Sequence, residues 1–161
     1  MHTKTLQIEC NTPEQTAQVG QALGSHLFPG AVIALVGPLG AGKTWFCRSI
    51  AQGLGITTPG QVTSPTFVLI QEYAASLPIY HFDVYRLKQL SEFEDLGALE
   101  YFAGDGVCLV EWADRIEPLL PAEHLRVEFV LTGTQSRSLS MTAWGRCYGE
   151  IIDKLAAGSL S

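Results

Sequence analysis

Basic residues are scarce in this chain. Ten Lys and Arg stand against sixteen Asp and Glu, giving a formal charge of -6, and only 16% of residues are charged. Nucleic-acid binding by a lone domain needs a basic surface to displace phosphate counterions, so that class is disfavoured, while a basic protein partner is not. No apolar run is long enough to span a membrane, and Met1 to Ile8 lack the apolar core of a secretory leader, so a cytoplasmic protein is expected. Cys10, Cys47, Cys108 and Cys147 show no Cys-x-x-Cys spacing, and three of them lie in apolar or helical stretches. Buried reduced thiols are therefore expected, not a disulfide or zinc framework. Repeats, low-complexity tracts and linker-like stretches are also missing, which leads us to expect one domain over residues 1–161.

Apolar residues, by contrast, are abundant, at 47% of 161 residues, enough to bury a sizeable core. The pattern is organised around Ala31-Val-Ile-Ala-Leu-Val36, a buried-strand run that ends abruptly in Gly37-Pro38-Leu39-Gly40-Ala41-Gly42-Lys43-Thr44. This segment fits Gly-x-x-x-x-Gly-Lys-[Ser/Thr] at every fixed position, and Trp45 to Leu54 reads as a helix stopped at Gly55. Strand, glycine-rich turn and helix N-terminus form the context of a phosphate-binding P-loop. Glycines let backbone N–H groups converge on phosphate oxygens, and the helix adds free N–H groups and the positive end of its dipole. In that pattern Lys43 reaches the β- and γ-phosphates and the Thr44 hydroxyl is a magnesium ligand. The alternative, a glycine-rich turn without a ligand, fits the flanking strand and helix less well.

Elsewhere the chain alternates short strands and helices. Thr5 to Cys10 reads as an edge strand. Thr12 then stands as N-cap, Pro13 as first helical residue and Gln15 as capping-box partner of a helix running to about Leu27. Two readings of this cap stay open, a place near the nucleotide base or an ordinary surface helix. After the polar stretch 57–66, Phe67–Tyr73 and Pro78–Tyr85 read as an antiparallel pair, so the sheet is expected to be mixed. Ser64 or Thr66 could serve in a loop that senses a γ-phosphate and its magnesium. The segment 91–102 reads as an acidic amphipathic helix broken at Gly97, Leu125–Leu131 and Ser138–Trp144 as a final antiparallel pair, and Cys147–Leu155 as a closing helix.

Two acids end apolar strands, Asp83 in Ile79-Tyr-His-Phe-Asp and Glu111 in Val107-Cys-Leu-Val-Glu. The second run has the look of a central parallel strand, which makes Glu111 the first choice to hold magnesium and Asp83 the second acid of the site. Arg86 is open to two roles, an arginine finger in cis or a plain ion pair. His81 reads as a strand residue, because no ligand stands at metal spacing around it, and Trp112 is open to stacking on a base or a partner or to packing, the commoner place for a tryptophan after a core strand.

Taken in order, Gly37–Thr44, Ser64-Pro-Thr66, His81-Phe-Asp-Val-Tyr-Arg86 and Leu109-Val-Glu-Trp112 resemble the TsaE (YjeE) family, small bacterial ATPases of tRNA threonylcarbamoyladenosine modification. The resemblance extends to the Thr12-Pro-Glu-Gln-Thr16 helix start and to Gly97-Ala-Leu-Glu-Tyr-Phe102. It implies an α/β, P-loop NTPase-like three-layer fold with a mixed parallel and antiparallel sheet. It further implies ATP and Mg2+ as cofactors, weak intrinsic ATP hydrolysis, and TsaD-like and TsaB-like partners, with tRNA engaged only indirectly. Lys43, Asp83 and Glu111 match the family's catalytic positions, and Thr44 and Glu111 its metal site. The nucleotide-binding set is Pro38, Leu39, Gly40, Ala41, Gly42, Lys43, Thr44 and Trp45, with Thr12 and Thr66. Trp45 stands where the family commonly has a second threonine, which bears on packing or base contacts and not on the phosphates. An Asn-Lys-x-Asp guanine reader and a Leu-Ser-Gly-Gly-Gln signature are both absent. A stand-alone small-molecule kinase remains the alternative, although the basic residues an arginine-bearing lid would need are few.

Overall fold

The computed structural model describes residues 3–56 and 70–158. Ser64, Thr66 and the beginning of the expected strand at Phe67 lie outside the described residues. Along the described chain the order is β1 (Thr3–Cys10), α1 (Pro13–Ser25), β2 (Val32–Val36), α2 (Lys43–Gly53), β3 (Ile70–Tyr73) and β4 (Ile79–Asp83). It continues with α3 (Leu90–Asp95), α4 (Ala98–Phe102), β5 (Val107–Glu111), a 3-10 helix (Ala113–Leu119), β6 (His124–Leu131), β7 (Arg137–Trp144) and α5 (Arg146–Ala157).

The strands form one mixed sheet in the order β1-β7-β6-β2-β5-β4-β3. Its centre, β6-β2-β5-β4, is parallel. Antiparallel strands complete both sides, β7 and β1 beyond β6 and β3 beyond β4. The residues of β2 explain its place in the middle. Ile33 and Leu35 belong to a core with Val19 and Leu23 of α1, Phe46 and Ile50 of α2, and Ile151 and Leu155 of α5. Val32 and Ala34, of opposite parity, join Phe82, Phe93, Ala98, Val110 and Ile116 on the other face. A strand buried on both faces is what an unbroken apolar run requires. The result is three layers, with the sheet between α1, α2 and α5 on one side and α3, α4 and the 3-10 helix on the other.

Helix α1 starts as its sequence dictates. The Gln15 N–H donates to Thr12 Oγ1 (3.2 Å) and the Gln15 side chain accepts from the N–H of Asn11 (2.7 Å), one residue earlier than the expected reciprocal partner. The helix ends at Ser25, two residues short of the expected Leu27. The acidic segment is broken as expected at Gly97, whose φ of 73° separates α3 from α4. Cys10, Cys47 and Cys108 are buried and Cys147 exposed, all with free thiols. The 3-10 helix had no counterpart in the sequence reading, because a short helix containing Pro118 carries no periodic signal.

Two glycines let α1 lie directly on α2. A Cβ at Gly24 would stand 2.2 Å from the Ile50 carbonyl oxygen, and one at Gly53 would stand 2.2 Å from that of Gln21. This contact joins the C-terminal ends of the two helices, while the start of α1 lies by the glycine-rich turn, where the Trp45 indole N–H donates to the Pro13 carbonyl. Replacing Gly24 with Ala should lower the unfolding free energy by about 1–3 kcal/mol, the usual cost of overpacking. Urea denaturation of Gly24→Ala with an unchanged midpoint would show that the two helices can part without penalty.

Candidate functional site

The carboxyl ends of the parallel strands β2, β4 and β5 meet at one edge of the sheet, where open α/β sheets place their ligands. At the end of β2 the chain turns through residues 37–42 into α2. Gly40 (φ 78°) and Gly42 (φ 99°) take left-handed conformations that other residues resist. Gly42 is the N-cap of α2 and brings no side chain to it, so the first N–H groups of the helix are left for a ligand. Ala41, almost fully buried, anchors the turn in the core.

Lys43, only 5% exposed, folds back on this turn. Its ammonium donates to the carbonyls of Gly37 (2.7 Å) and Pro38 (2.9 Å) and lies 3.9 Å from the centre of the Trp112 ring. Burial pulls its pKa below the ordinary lysine value, opposed by the charges of Glu111, Asp114 and Asp83. Trp112 is held at φ 63°, unusual for a bulky residue, and its ring also packs on Tyr85 at 4.6 Å. The expected packing role of Trp112 thus includes a cation–π contact with the lysine.

Beside Lys43, the Thr44 hydroxyl lies 3.0 and 3.1 Å from the two carboxylate oxygens of Glu111. Glu111 closes β5 and is 3% exposed. Its register partner on β4 is Asp83, which accepts a hydrogen bond from the Tyr85 N–H at 2.9 Å. The structure therefore brings Lys43, Thr44, Asp83 and Glu111 to one cleft of about 330 Å³, lined also by Leu39 to Gly42, Trp45, Tyr85 and Trp112. A hydroxyl and carboxylates are hard oxygen donors of the kind Mg2+ takes, so Thr44 and Glu111 fit that ion.

A smaller hollow of about 160 Å³ adjoins the turn, lined by Pro13, Thr16, Ala41, Gly42, Trp45, Gln135 and Arg137. Trp45 borders both spaces, and its indole N–H donates to the Pro13 carbonyl at 3.3 Å. Thr12 sits at the α1 cap with its hydroxyl accepting from Gln15, while its neighbours Pro13 and Thr16 face the hollow. Arg86 is exposed and does not line the cleft.

Two participants escaped the sequence reading. Arg137, at the start of β7, donates from Nε to the Ala41 carbonyl (2.9 Å) and from a terminal nitrogen to that of Gly40 (3.3 Å), clamping the turn from a segment far along the chain. His81, expected as a strand residue without ligand-type neighbours, is fully buried with Nε2 2.5 Å from Glu111 Oε2. Tertiary structure, not local spacing, groups it with Cys47 and Glu111, their ligand atoms within 4.8 Å of one another. Burial, reinforced by the charges of Glu111 and Asp83, pushes the Cys47 thiol well above its ordinary pKa. A protonated thiol is a poor metal ligand, so the cluster is better described as a hydrogen-bonded His–Glu pair beside an inert cysteine.

A family model described as threonylcarbamoyl adenosine biosynthesis protein TsaE matches residues 10–139. The tRNA threonylcarbamoyladenosine biosynthesis protein TsaE of Bacillus subtilis is 45% identical over 154 residues, 95% of this chain and 95% of that one. The protein of the same name from Treponema pallidum is 40% identical over 128 residues, 80% of this chain and 93% of its own. The crystal structure of Bacillus subtilis YdiB superposes with a TM-score of 0.78 at 38% identity, covering 97% of each chain.

The clamp from β7 predicts a measurable effect on the turn. Removing a charge-assisted donor from a half-buried carbonyl such as that of Ala41 costs about 1–3 kcal/mol. Arg137→Ala should therefore speed hydrogen exchange at the Ala41 amide, which donates to the Pro38 carbonyl, by about tenfold or more. Parent-like exchange there would mean that the turn holds its shape without the arginine.

Proposed function

Because this chain belongs to the TsaE family and is a component of tRNA threonylcarbamoyladenosine biosynthesis, we propose that it is the pathway's cytoplasmic P-loop ATPase. In this reading residues 1–161 form a single ATPase domain that binds ATP with Mg2+ and hydrolyses it slowly. Hydrolysis drives or resets a complex of TsaD-like and TsaB-like partners, and tRNA is met only through them. The observation that carries the proposal is the meeting of Lys43, Thr44 and Glu111 at the glycine-rich turn where α2 begins.

Each residue has a physical task. The backbone from Leu39 to Thr44 offers N–H groups to the phosphates, Pro38 contributing none. Lys43 exchanges the Gly37 and Pro38 carbonyls for β- and γ-phosphate oxygens, which are better partners for a desolvated ammonium. Thr44 and Glu111 hold the magnesium ion, which when bound supplies positive charge to offset the triphosphate. Asp83, beside Glu111 on the neighbouring strand, orients the attacking water. Trp45, with Pro13 and Thr16 of the α1 start that Thr12 caps, borders the space for the base. Thr66, outside the described residues, has the task of sensing the γ-phosphate. No observation favours the small-molecule kinase over this family reading.

Charge placed in a desolvated pocket serves binding at the expense of stability. The lowered pKa of Lys43 means that folding disfavours its charged form, so at neutral pH its burial subtracts from stability. Lys43→Met should accordingly lose ATP affinity by a factor of roughly 100 or more, since it removes a charge-assisted pair worth about 2–5 kcal/mol, and should melt no lower than the parent. Asp83→Ala should keep nucleotide binding while hydrolysis falls by roughly 100-fold or more, and Glu111→Ala should keep the metal-free ATP affinity, lose the gain that Mg2+ brings, and hydrolyse roughly 100-fold or more slowly. Calorimetry and single-turnover hydrolysis, with and without the partner proteins, check all three. Parent-like ATP affinity in Lys43→Met would remove the assignment.

A further inference from the structure

The buried imidazole of His81 has no task in the mechanism above, yet it makes the shortest contact of the site. His81 is fully enclosed within β4, on the same face as Asp83 two residues on, and its Nε2 lies 2.5 Å from Glu111 Oε2. Glu111 is itself 3% exposed, and its other partner is the Thr44 hydroxyl. A carboxylate so far from water needs a donor, which places the proton on Nε2. The remaining ring nitrogen, Nδ1, is the one buried side-chain polar atom without a hydrogen-bond partner among the described residues.

That orphan nitrogen bears on role. If position 81 served packing alone, leucine or phenylalanine would fill it without stranding a polar atom. The imidazole stands where it meets the Glu111 carboxylate beside Thr44. We infer that His81 is a positioning residue, its Nε2–H fixing the Glu111 carboxylate so that an oxygen stays directed, beside Thr44, toward the cation that accompanies ATP. A carboxylate held only by the rotatable Thr44 hydroxyl would lose that aim when the hydroxyl turns to the ion. The inference rests on the reading of Glu111 as the magnesium acid. Histidine and carboxylate partners behind metal ligands act in this way, and their loss typically weakens metal affinity or activity roughly 10–100-fold.

Three substitutions separate hydrogen bonding from space filling. His81→Gln can carry an amide donor about as far as Nε2, His81→Asn is one methylene shorter and cannot reach Glu111, and His81→Leu fills the space with no donor. The readout is the ratio of affinities for a non-hydrolysable ATP analogue in Mg2+ and in EDTA, by calorimetry, with Glu111→Gln alongside and melting curves for every variant. His81→Leu and His81→Asn should lose roughly 10–100-fold of the Mg2+-dependent gain, and His81→Gln should recover most of it. Affinity in EDTA should stay at the parent value. Should His81→Leu fail to fold, the Gln and Asn pair decides. A full gain in His81→Asn alongside a lost gain in Glu111→Gln overturns the role of His81 alone, as does equal loss in the Gln and Asn variants. A gain that survives in Glu111→Gln overturns the reading of Glu111 beneath it.

Discussion

A carboxylate taken out of water at the end of a central strand constrains everything around it. Glu111 is tolerable in its buried position only because a hydroxyl reaches it from α2 and an imidazole from β4. Satisfying it therefore fixes the start of α2 against the carboxyl ends of β4 and β5. The glycine-rich turn, which must bridge β2 and α2 in a few residues, is held in the same step. From the other side Arg137 fastens the turn through the Gly40 and Ala41 carbonyls. The site is thus organised before a ligand arrives, a property that lowers the cost of binding.

Several local features here run against stability. Lys43 is buried at a lowered pKa, Trp112 occupies a left-handed conformation, and a histidine nitrogen is left without a partner. All three lie within the same cluster of contacts. Departures from local preference gathered at one place are expected where function sets the residue types, and the two cores on either face of the sheet supply the stability to sustain them.

The parts legible in the sequence were those whose signals are local. The buried strand, observed as Val32–Val36, the left-handed glycines before α2 and the Thr12 N-cap of α1 each lie within a short window. Breaks at Gly97 and the final antiparallel pair were readable for the same reason. Illegible features depend on distant segments. Nothing near Arg137 announces that it clamps residues 40 and 41, and nothing near His81 shows that β4 lies parallel to β5 with Asp83 opposite Glu111. Register is a tertiary fact. The left-handed Trp112 and the 3-10 helix after it are equally silent, because neither a positive φ at a tryptophan nor a helix of seven residues leaves a periodic mark.

The central claim is that the turn from Gly37 to Thr44 closes on a triphosphate, with Lys43 changing partners to do so. A crystal structure with magnesium and a non-hydrolysable ATP analogue tests it most directly. The account predicts β- and γ-phosphates within the turn, Lys43 withdrawn from the Gly37 and Pro38 carbonyls, and the ion between Thr44 and Glu111. A nucleotide bound elsewhere, with Lys43 still on those two carbonyls, would contradict it.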